Sequence, residues 1–366
     1  MRLPTAPALK TEKLSRLFSN MSECYKLFWF QALINKVKDG KTVVSYDELI
    51  NEMIADAWYM VSEYKLNLGP ADTLEALVHY VFNVSNFKSS EKKEHIIRFL
   101  EASEDRELLK MKRTLTYNVP YRLQAPFIEG FSGDGWNVST KALAEKINRE
   151  RHVIYYFTRI SGLQSQIEIK EEWAEYIKRN YHILCGWIQF HLITYLQKRN
   201  PSVPGIVNKL EPPIERKLDK VKKYWKLLLE IDPVHEIYTG QLLTGKDMSI
   251  DHFVPWSYVA HDEFWNLHPT TKSINSKKSN QLPDWNKYFP LLSGIEYYSY
   301  QRMWEYEKVY AEFEKLQNEH VNSLEVRMKL YRQGLTKQEF TCNLEEVILP
   351  VYQAAEHLGF QNWVLE

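Results

Sequence analysis

Several features are scarce or missing in this sequence, and each absence excludes a class of protein. The 366 residues include only three cysteines, Cys24, Cys185 and Cys342, and these form no Cys-x-x-Cys pair. Neither a disulfide framework nor a zinc knuckle is therefore indicated. No apolar run reaches the roughly 18 residues of a membrane-spanning helix, and the opening residues form no apolar leader. We expect a protein of a reducing cytoplasm without membrane association.

The sequence also has no net charge, because its 47 basic residues equal its 47 acidic residues in number. The molecule as a whole therefore does not attract nucleic acid, and any such contact must use a local basic patch. Apolar content is ample, with 44% hydrophobic and 14% aromatic residues. This composition excludes a disordered chain and indicates a packed core.

Helical spacing of apolar residues dominates the chain. One example follows Ser45, where Glu48 lies three residues further on, as in a capping box that opens a helix. The segment His152–Ile160, rich in β-branched and aromatic residues, predicts a strand. Near the end, the pattern predicts helices over Tyr298–Leu316, Leu324–Arg332 and Glu345–Leu358. The fold class expected is mainly α with a small α+β module.

Proline-rich breaks suggest how the chain is divided. Asn200-Pro201 ends a helical segment, and Pro212-Pro213 continues the interruption. We predict a mainly helical region over residues 1–205, a basic helix with a small catalytic core over 206–290, and a helical region over 291–366. The first region holds no catalytic constellation and is expected to bind a partner, a regulator or the substrate.

The chemistry is concentrated between residues 237 and 283. Asp251 and His252 are adjacent, and they supply an oxygen ligand for a metal and a group that exchanges protons near neutral pH. Asn266 and Asn275 add neutral amides, and two consecutive lysines, Lys277 and Lys278, add charge for a phosphate. This set suits hydrolysis of a phosphodiester with one metal ion.

Local patterns predict how these residues are carried. The stretches His235–Leu243 and Met248–Phe253 are separated by Thr244–Asp247, which predicts a hairpin. A short helix is expected to follow near residues 270–278. On that helix Asn275 and Lys278 would lie one turn apart, on the same face.

These residues resemble the HNH endonuclease family. Asp251-His252 corresponds to the family's first element, Asn266-Leu267 to its middle element and Asn275 to its last. The intervals are similar to those in the HNH domain of the RNA-guided CRISPR effector nucleases, and the flanking Val254–Ser257 and Lys278–Asn280 are typical. The resemblance covers about 50 residues. The cysteines that bind a structural zinc in some members are absent, so packing must hold this domain together.

The resemblance implies roles for the matched residues. Asp251 and Asn275 would bind one Mg²⁺ or Mn²⁺ ion, and His252 would be the general base. Asn266 would pin a loop and orient the imidazole, and Lys278 would contact phosphate. The substrate implied is DNA, with RNA left open, and phage defence or restriction are plausible settings. The alternative is an interaction subunit in which the HNH fold binds nucleic acid while another polypeptide cleaves it.

Two further groups of residues are open to two interpretations. Lys217, Lys220 and Lys223 belong to a basic segment just before the motif, which is either a ridge for DNA phosphates or a solvated helix face. His261 and His268 lie within the motif but match no family position, and we expect them to be ordinary loop or surface histidines.

Overall fold

A computed structural model describes residues 2–19, 21–70, 72–128, 136–212 and 218–365. The chain forms two compact units. The first comprises Met1–Pro201 with Lys209–Pro212, and the second comprises Ser202–Asn208 with Pro213–Glu366. Both are mostly helical with small sheets, which confirms the predicted fold class. No helix within the described ranges is long and apolar enough to cross a membrane.

The first unit consists of helices around a three-stranded antiparallel sheet of order β1-β3-β2. Its helices are α1 Thr11–Leu14, α2 Tyr25–Lys38, α3 Tyr46–Ser62, α4 Thr73–Ser85, α5 Lys93–Ala102, α6 Arg106–Thr114, α7 Val119–Arg122, α8 Thr140–Asn148, α9 Glu171–Arg179 and α10 Tyr181–Arg199. Its strands are β1 Val43–Ser45, β2 Tyr155–Arg159 and β3 Gln166–Ile169.

Two local predictions are confirmed in this unit. The Ser45 hydroxyl accepts a hydrogen bond from the backbone N–H of Glu48 at 3.2 Å, and the Glu48 carboxylate accepts one from the backbone N–H of Ser45 at 2.9 Å. This reciprocal pair satisfies two amides that the first turn of α3 would otherwise leave unpaired. The strand expected within His152–Ile160 is β2.

The second unit places a small strand pair among longer helices. In chain order its elements are α11 Asp219–Ile231, β4 Met248–His252, β5 Leu267–Thr271, α12 Lys272–Lys278, β6 Leu282–Pro283, α13 Trp285–Glu305, α14 Glu307–His320, α15 Leu324–Leu330, α16 Lys337–His357 and β7 Asn362–Trp363. The helix predicted over Tyr298–Leu316 is wrong in its continuity, because Tyr306 has extended backbone angles and separates α13 from α14.

One hydrophobic core extends through the second unit. It joins α11, both strands of the β4–β5 pair and the long helices that follow, and its buried members run from Leu218 to Trp363. Trp225 of α11 is fully buried, and its indole N–H donates to the backbone carbonyl of Leu267 at 3.2 Å. The strand pair is therefore held by helices from outside the matched motif, as expected for a small domain without zinc or disulfides.

The predicted hairpin is wrong in its pairing. β4 pairs with β5, across a 14-residue loop, and not with the stretch His235–Leu243. That stretch folds back on itself through a bridge between His235 and Leu242 and a turn at Gly240, whose φ is +69°. Its backbone hydrogen bonds run within the stretch and to Val234, as from the Glu236 N–H to the Gln241 carbonyl at 2.8 Å, and not to β4. The short helix predicted near residues 270–278 is confirmed as α12.

Candidate active site

Asp251 is at the centre of the site. It lies on β4, directly opposite His268 of β5, and it is 3% exposed. The Tyr238 hydroxyl donates to its Oδ2 at 2.8 Å, and the Nζ of Lys278 lies 3.2 Å from each carboxylate oxygen. A buried carboxylate is stable only when it is compensated in this way.

The Lys278 ammonium is surrounded by oxygen atoms. Besides both oxygens of Asp251, it contacts the backbone carbonyl of His252 at 2.7 Å. Lys278 is the last residue of α12, and its side chain is fully buried. The charge expected to face a phosphate therefore points inward, to the carboxylate of the proposed metal ligand.

The electrostatics of this pair follow from burial and proximity. Burial alone would raise the pKa of the Asp251 carboxyl, yet the adjacent Lys278 ammonium holds that pKa below its usual value. Burial lowers the pKa of Lys278, and the carboxylate of Asp251 opposes the shift. Each group thus favours the charged form of the other, and the pair provides a buried positive charge beside a buried negative one.

Asn275 faces the same strand from one turn earlier in α12. Its Nδ2 donates to the backbone carbonyl of Ile250 at 2.9 Å and to the hydroxyl of Ser249 at 3.0 Å. Because a backbone carbonyl only accepts hydrogen bonds, the amide orientation is fixed by this contact. The carbonyl oxygen of the amide is consequently the atom that Asn275 has to offer a cation.

His252 is bound by a carboxylate that sequence reasoning missed. Its Nε2 lies 2.6 Å from Oδ1 of Asp262, and its imidazole is nearly buried. Asp262 belongs to the loop between β4 and β5, and the backbone carbonyl of Asp262 accepts a hydrogen bond from Nδ1 of His320 at 2.7 Å. A single aspartate in an irregular loop carries no periodicity, so only the fold could bring it to the imidazole.

Asn266 fixes the start of the loop. The Val254 backbone N–H donates to its Oδ1 at 2.7 Å, and its Nδ2 donates to the Val254 carbonyl at 2.9 Å. The backbone carbonyl of Asn266 accepts from the N–H of Phe253 at 3.0 Å. The fully buried amide thus mimics a strand partner and sets the direction in which the chain leaves His252.

The two extra histidines behave differently from each other. His261 is an exposed loop residue whose Nδ1 lies 2.8 Å from Nδ2 of Asn322, as expected of a surface histidine. For His268 the expectation was wrong, because this residue is fully buried on β5 with Nε2 3.6 Å from Oδ2 of Asp251. Burial lowers the pKa of His268 to about 4, so the ring is neutral. Among the described residues, neither ring nitrogen has a hydrogen-bond partner.

The remaining lysines are dispersed. Lys277 is exposed on α12, and Lys217 lies outside the described residues. Lys220 and Lys223 are exposed on α11, where each forms an ion pair with a glutamate of α14. The distance is 2.5 Å from Lys220 to Glu319 and 2.9 Å from Lys223 to Glu312. The basic helix therefore packs beside an acidic one, and the local excess of positive charge is smaller than the sequence of α11 suggests.

The donors around Asp251 fit a hard divalent cation. The two carboxylate oxygens and the His252 carbonyl already hold one positive charge, that of Lys278, and such oxygen donors are the ones that Mg²⁺ and Mn²⁺ prefer. Across the described ranges there is no cluster of three or more His, Cys, Asp or Glu side chains suited to a metal. A metal here would therefore depend on one carboxylate together with neutral oxygens, as Asn275 can provide.

An antiparallel strand pair is followed at once by a short helix, with Asp-His at the end of the first strand, and this is the ββα arrangement expected from the resemblance to HNH nucleases. Residues 235–284 match the family model described as HNH endonuclease, and the chain therefore contains an HNH endonuclease domain. HNH nucleases generally use a divalent metal, and such a domain implies a nucleic-acid substrate. No curated protein and no solved structure matches the chain.

Proposed function

We propose that this protein is a metal-dependent endonuclease that hydrolyses phosphodiester bonds in DNA. The contacts of Asn275 and Lys278 with β4 support this function most directly, because they join an oxygen ligand set and a cation at Asp251, beside the residue that carries the base, His252. The products expected are ends with a 5′-phosphate and a 3′-hydroxyl.

His252 is proposed as the general base that takes a proton from the attacking water. A carboxylate at Nε2 favours the tautomer with its proton on that nitrogen, which makes Nδ1 the basic atom. Asp262 thus acts as a positioning residue for the imidazole. Asn266 acts on it indirectly, because its contacts with Val254 fix the chain that follows His252. A base of this kind typically contributes on the order of 10²–10⁴-fold to the rate.

Asp251 and Asn275 are proposed to hold one Mg²⁺ or Mn²⁺ ion through oxygen atoms. When bound, the ion supplies stabilisation of the negative charge that builds up on the phosphodiester and its leaving oxygen. The buried carboxylate and the amide, whose nitrogen is already committed to Ile250, are the atoms available for this purpose.

Contacts with the DNA backbone are proposed for Lys277 and Lys278, and for the basic segment that includes Lys217, Lys220 and Lys223. Lys277 is exposed beside the site and can meet a phosphate without rearrangement. For Lys220 and Lys223, a phosphate has to compete with a glutamate, which weakens the gain from each contact.

We propose the cytoplasm as the location of the protein, a reducing compartment in which free thiols persist. Cys24, Cys185 and Cys342 are all unpaired with one another, and Cys342 is exposed. We also propose that the helical N-terminal unit binds a protein partner or regulator.

One observation favours a second function, that of a DNA-binding subunit whose own site stays closed. Asp251 is only 3% exposed and His252 only 4%.

Purified full-length protein incubated with supercoiled plasmid and Mg²⁺ or Mn²⁺ tests this function. We expect nicked or linear plasmid that disappears when a chelator is added. End-labelling before and after phosphatase treatment would show the 5′-phosphate. DNA that is bound but never cut, at any metal concentration, would favour the binding subunit instead.

A further inference from the structure

The cation at the centre of the site is already present, and it belongs to the protein. The Lys278 ammonium contacts both oxygens of Asp251 and the His252 carbonyl, within 3.2 Å of each. A divalent ion on the same oxygens would be repelled strongly by this ammonium, because like charges a few ångströms apart in a buried site interact strongly. Metal and ammonium would therefore compete for these oxygens.

We infer that Lys278 is a built-in competitor of the metal, whose ammonium keeps the ligand set of Asp251 assembled until a divalent ion replaces it. This inference rests on the proposed function. It adds that metal affinity is set by an exchange of cations within the chain, and that Lys278 becomes available to the DNA phosphate only once it has left Asp251.

The position of Lys278 in the fold permits such an exchange. It is the last residue of α12, and its neighbours Lys277 and Ser279 are both exposed. Rotation about the bonds of the long side chain is the movement that this exchange requires, from the carboxylate toward these exposed neighbours. Asn275, one turn earlier, keeps its contacts with β4 through its nitrogen and leaves its oxygen for the incoming ion.

A structural ion pair is the simpler interpretation, and metal binding distinguishes the two. In full-length protein we would measure Mn²⁺ affinity by electron paramagnetic resonance of the free ion, together with the melting temperature with and without Mn²⁺. The variant Lys278→Met removes the ammonium. The control, Lys272→Met, removes an equal charge from an exposed position on the same helix.

We expect Lys278→Met to bind Mn²⁺ at least about tenfold more tightly than wild type, because no internal cation must be displaced. Without metal it should melt at a lower temperature, since the Asp251 carboxylate is left uncompensated, and Mn²⁺ should raise its melting temperature more than that of wild type. The control should match wild type in both measurements. An unchanged or weaker Mn²⁺ affinity in Lys278→Met would overturn the inference.

A second variant covers the case in which Lys278→Met fails to fold. Lys278→Arg keeps the charge, and its planar guanidinium can form two parallel hydrogen bonds with a carboxylate. It should bind Mn²⁺ more weakly than wild type, and equal affinity would count against the competition.

Plasmid cleavage in the same Mn²⁺ titration separates this inference from the proposed function. If wild type cuts DNA while the Lys278 variants bind Mn²⁺ as wild type does, the function stands and the inference is wrong. If the affinities change as expected but wild type never cuts, the cation exchange stands and the nuclease proposal is wrong.

Discussion

Replacement of Asp262 tests whether its carboxylate positions the catalytic imidazole. The oxygen lies 2.6 Å from Nε2 of His252, and the side chains are 19% and 5% exposed, so water screens the contact only weakly. Hydrogen bonds to charged groups contribute about 1.5–3 kcal/mol. At about 1.4 kcal/mol per factor of ten in rate, Asp262→Ala should lower kcat about 10- to 150-fold.

Asp262 does not belong to the proposed phosphate-binding residues, so the KM for DNA should change little. Single-turnover cleavage at saturating Mn²⁺ would measure both constants. Asp262→Asn, which keeps the shape and an acceptor oxygen, should lose less than Asp262→Ala. The matched control is Glu263→Gln, one residue further along the loop, where the carboxylate accepts from Asn322. A kcat for Asp262→Ala within about twofold of wild type would refute the positioning role.

Three further predictions concern stability, DNA binding and the folding unit. Burial raises the pKa of Glu296 well above its usual value. Between roughly pH 4.3 and that raised pKa, the folded state therefore holds a proton that the unfolded state has lost, and wild-type stability falls as pH rises. The melting temperature of Glu296→Gln should exceed that of wild type more at pH 8 than at pH 5, and a constant difference would contradict this. Replacing Glu312 and Glu319 with Gln should release Lys223 and Lys220, tighten DNA binding and steepen its salt dependence, whereas unchanged binding would make the basic helix a solvated face. A fragment over residues 210–290 lacks most of the core that packs on the strand pair, so circular dichroism should show no cooperative melt, and a sharp melt would mean that the nuclease segment folds alone.

Much of the architecture follows from local patterns in the sequence. The capping box at Ser45 is formed by two residues that are three positions apart. Similarly, α12 begins after Thr271, whose hydroxyl accepts a hydrogen bond from the backbone N–H of Ile274 at 3.3 Å. Such contacts need no distant partner, so periodicity and capping residues are enough to predict them. The HNH domain was recognised in the same way, from residues at fixed intervals along one short stretch.

What the sequence did not reveal depends on contacts between distant residues. The partner of β4 lies beyond a 14-residue loop, and nothing local distinguishes it from the nearer stretch before Thr244. Asp262 reaches His252 only through the path of that loop, which brings a residue ten positions along the chain back to the imidazole. The inward direction of Lys278 is equally hidden, since a lysine beside another lysine is typical of an exposed face.

The most direct test of the central claim compares wild type with His252→Ala on supercoiled plasmid with Mn²⁺. Both proteins should be prepared side by side and shown to have the same circular dichroism spectrum and to bind the same DNA. Wild type should nick or linearise the plasmid, and His252→Ala should do so at least about 100-fold more slowly, because it has lost the general base. Equal cleavage rates for the two folded proteins would contradict the account.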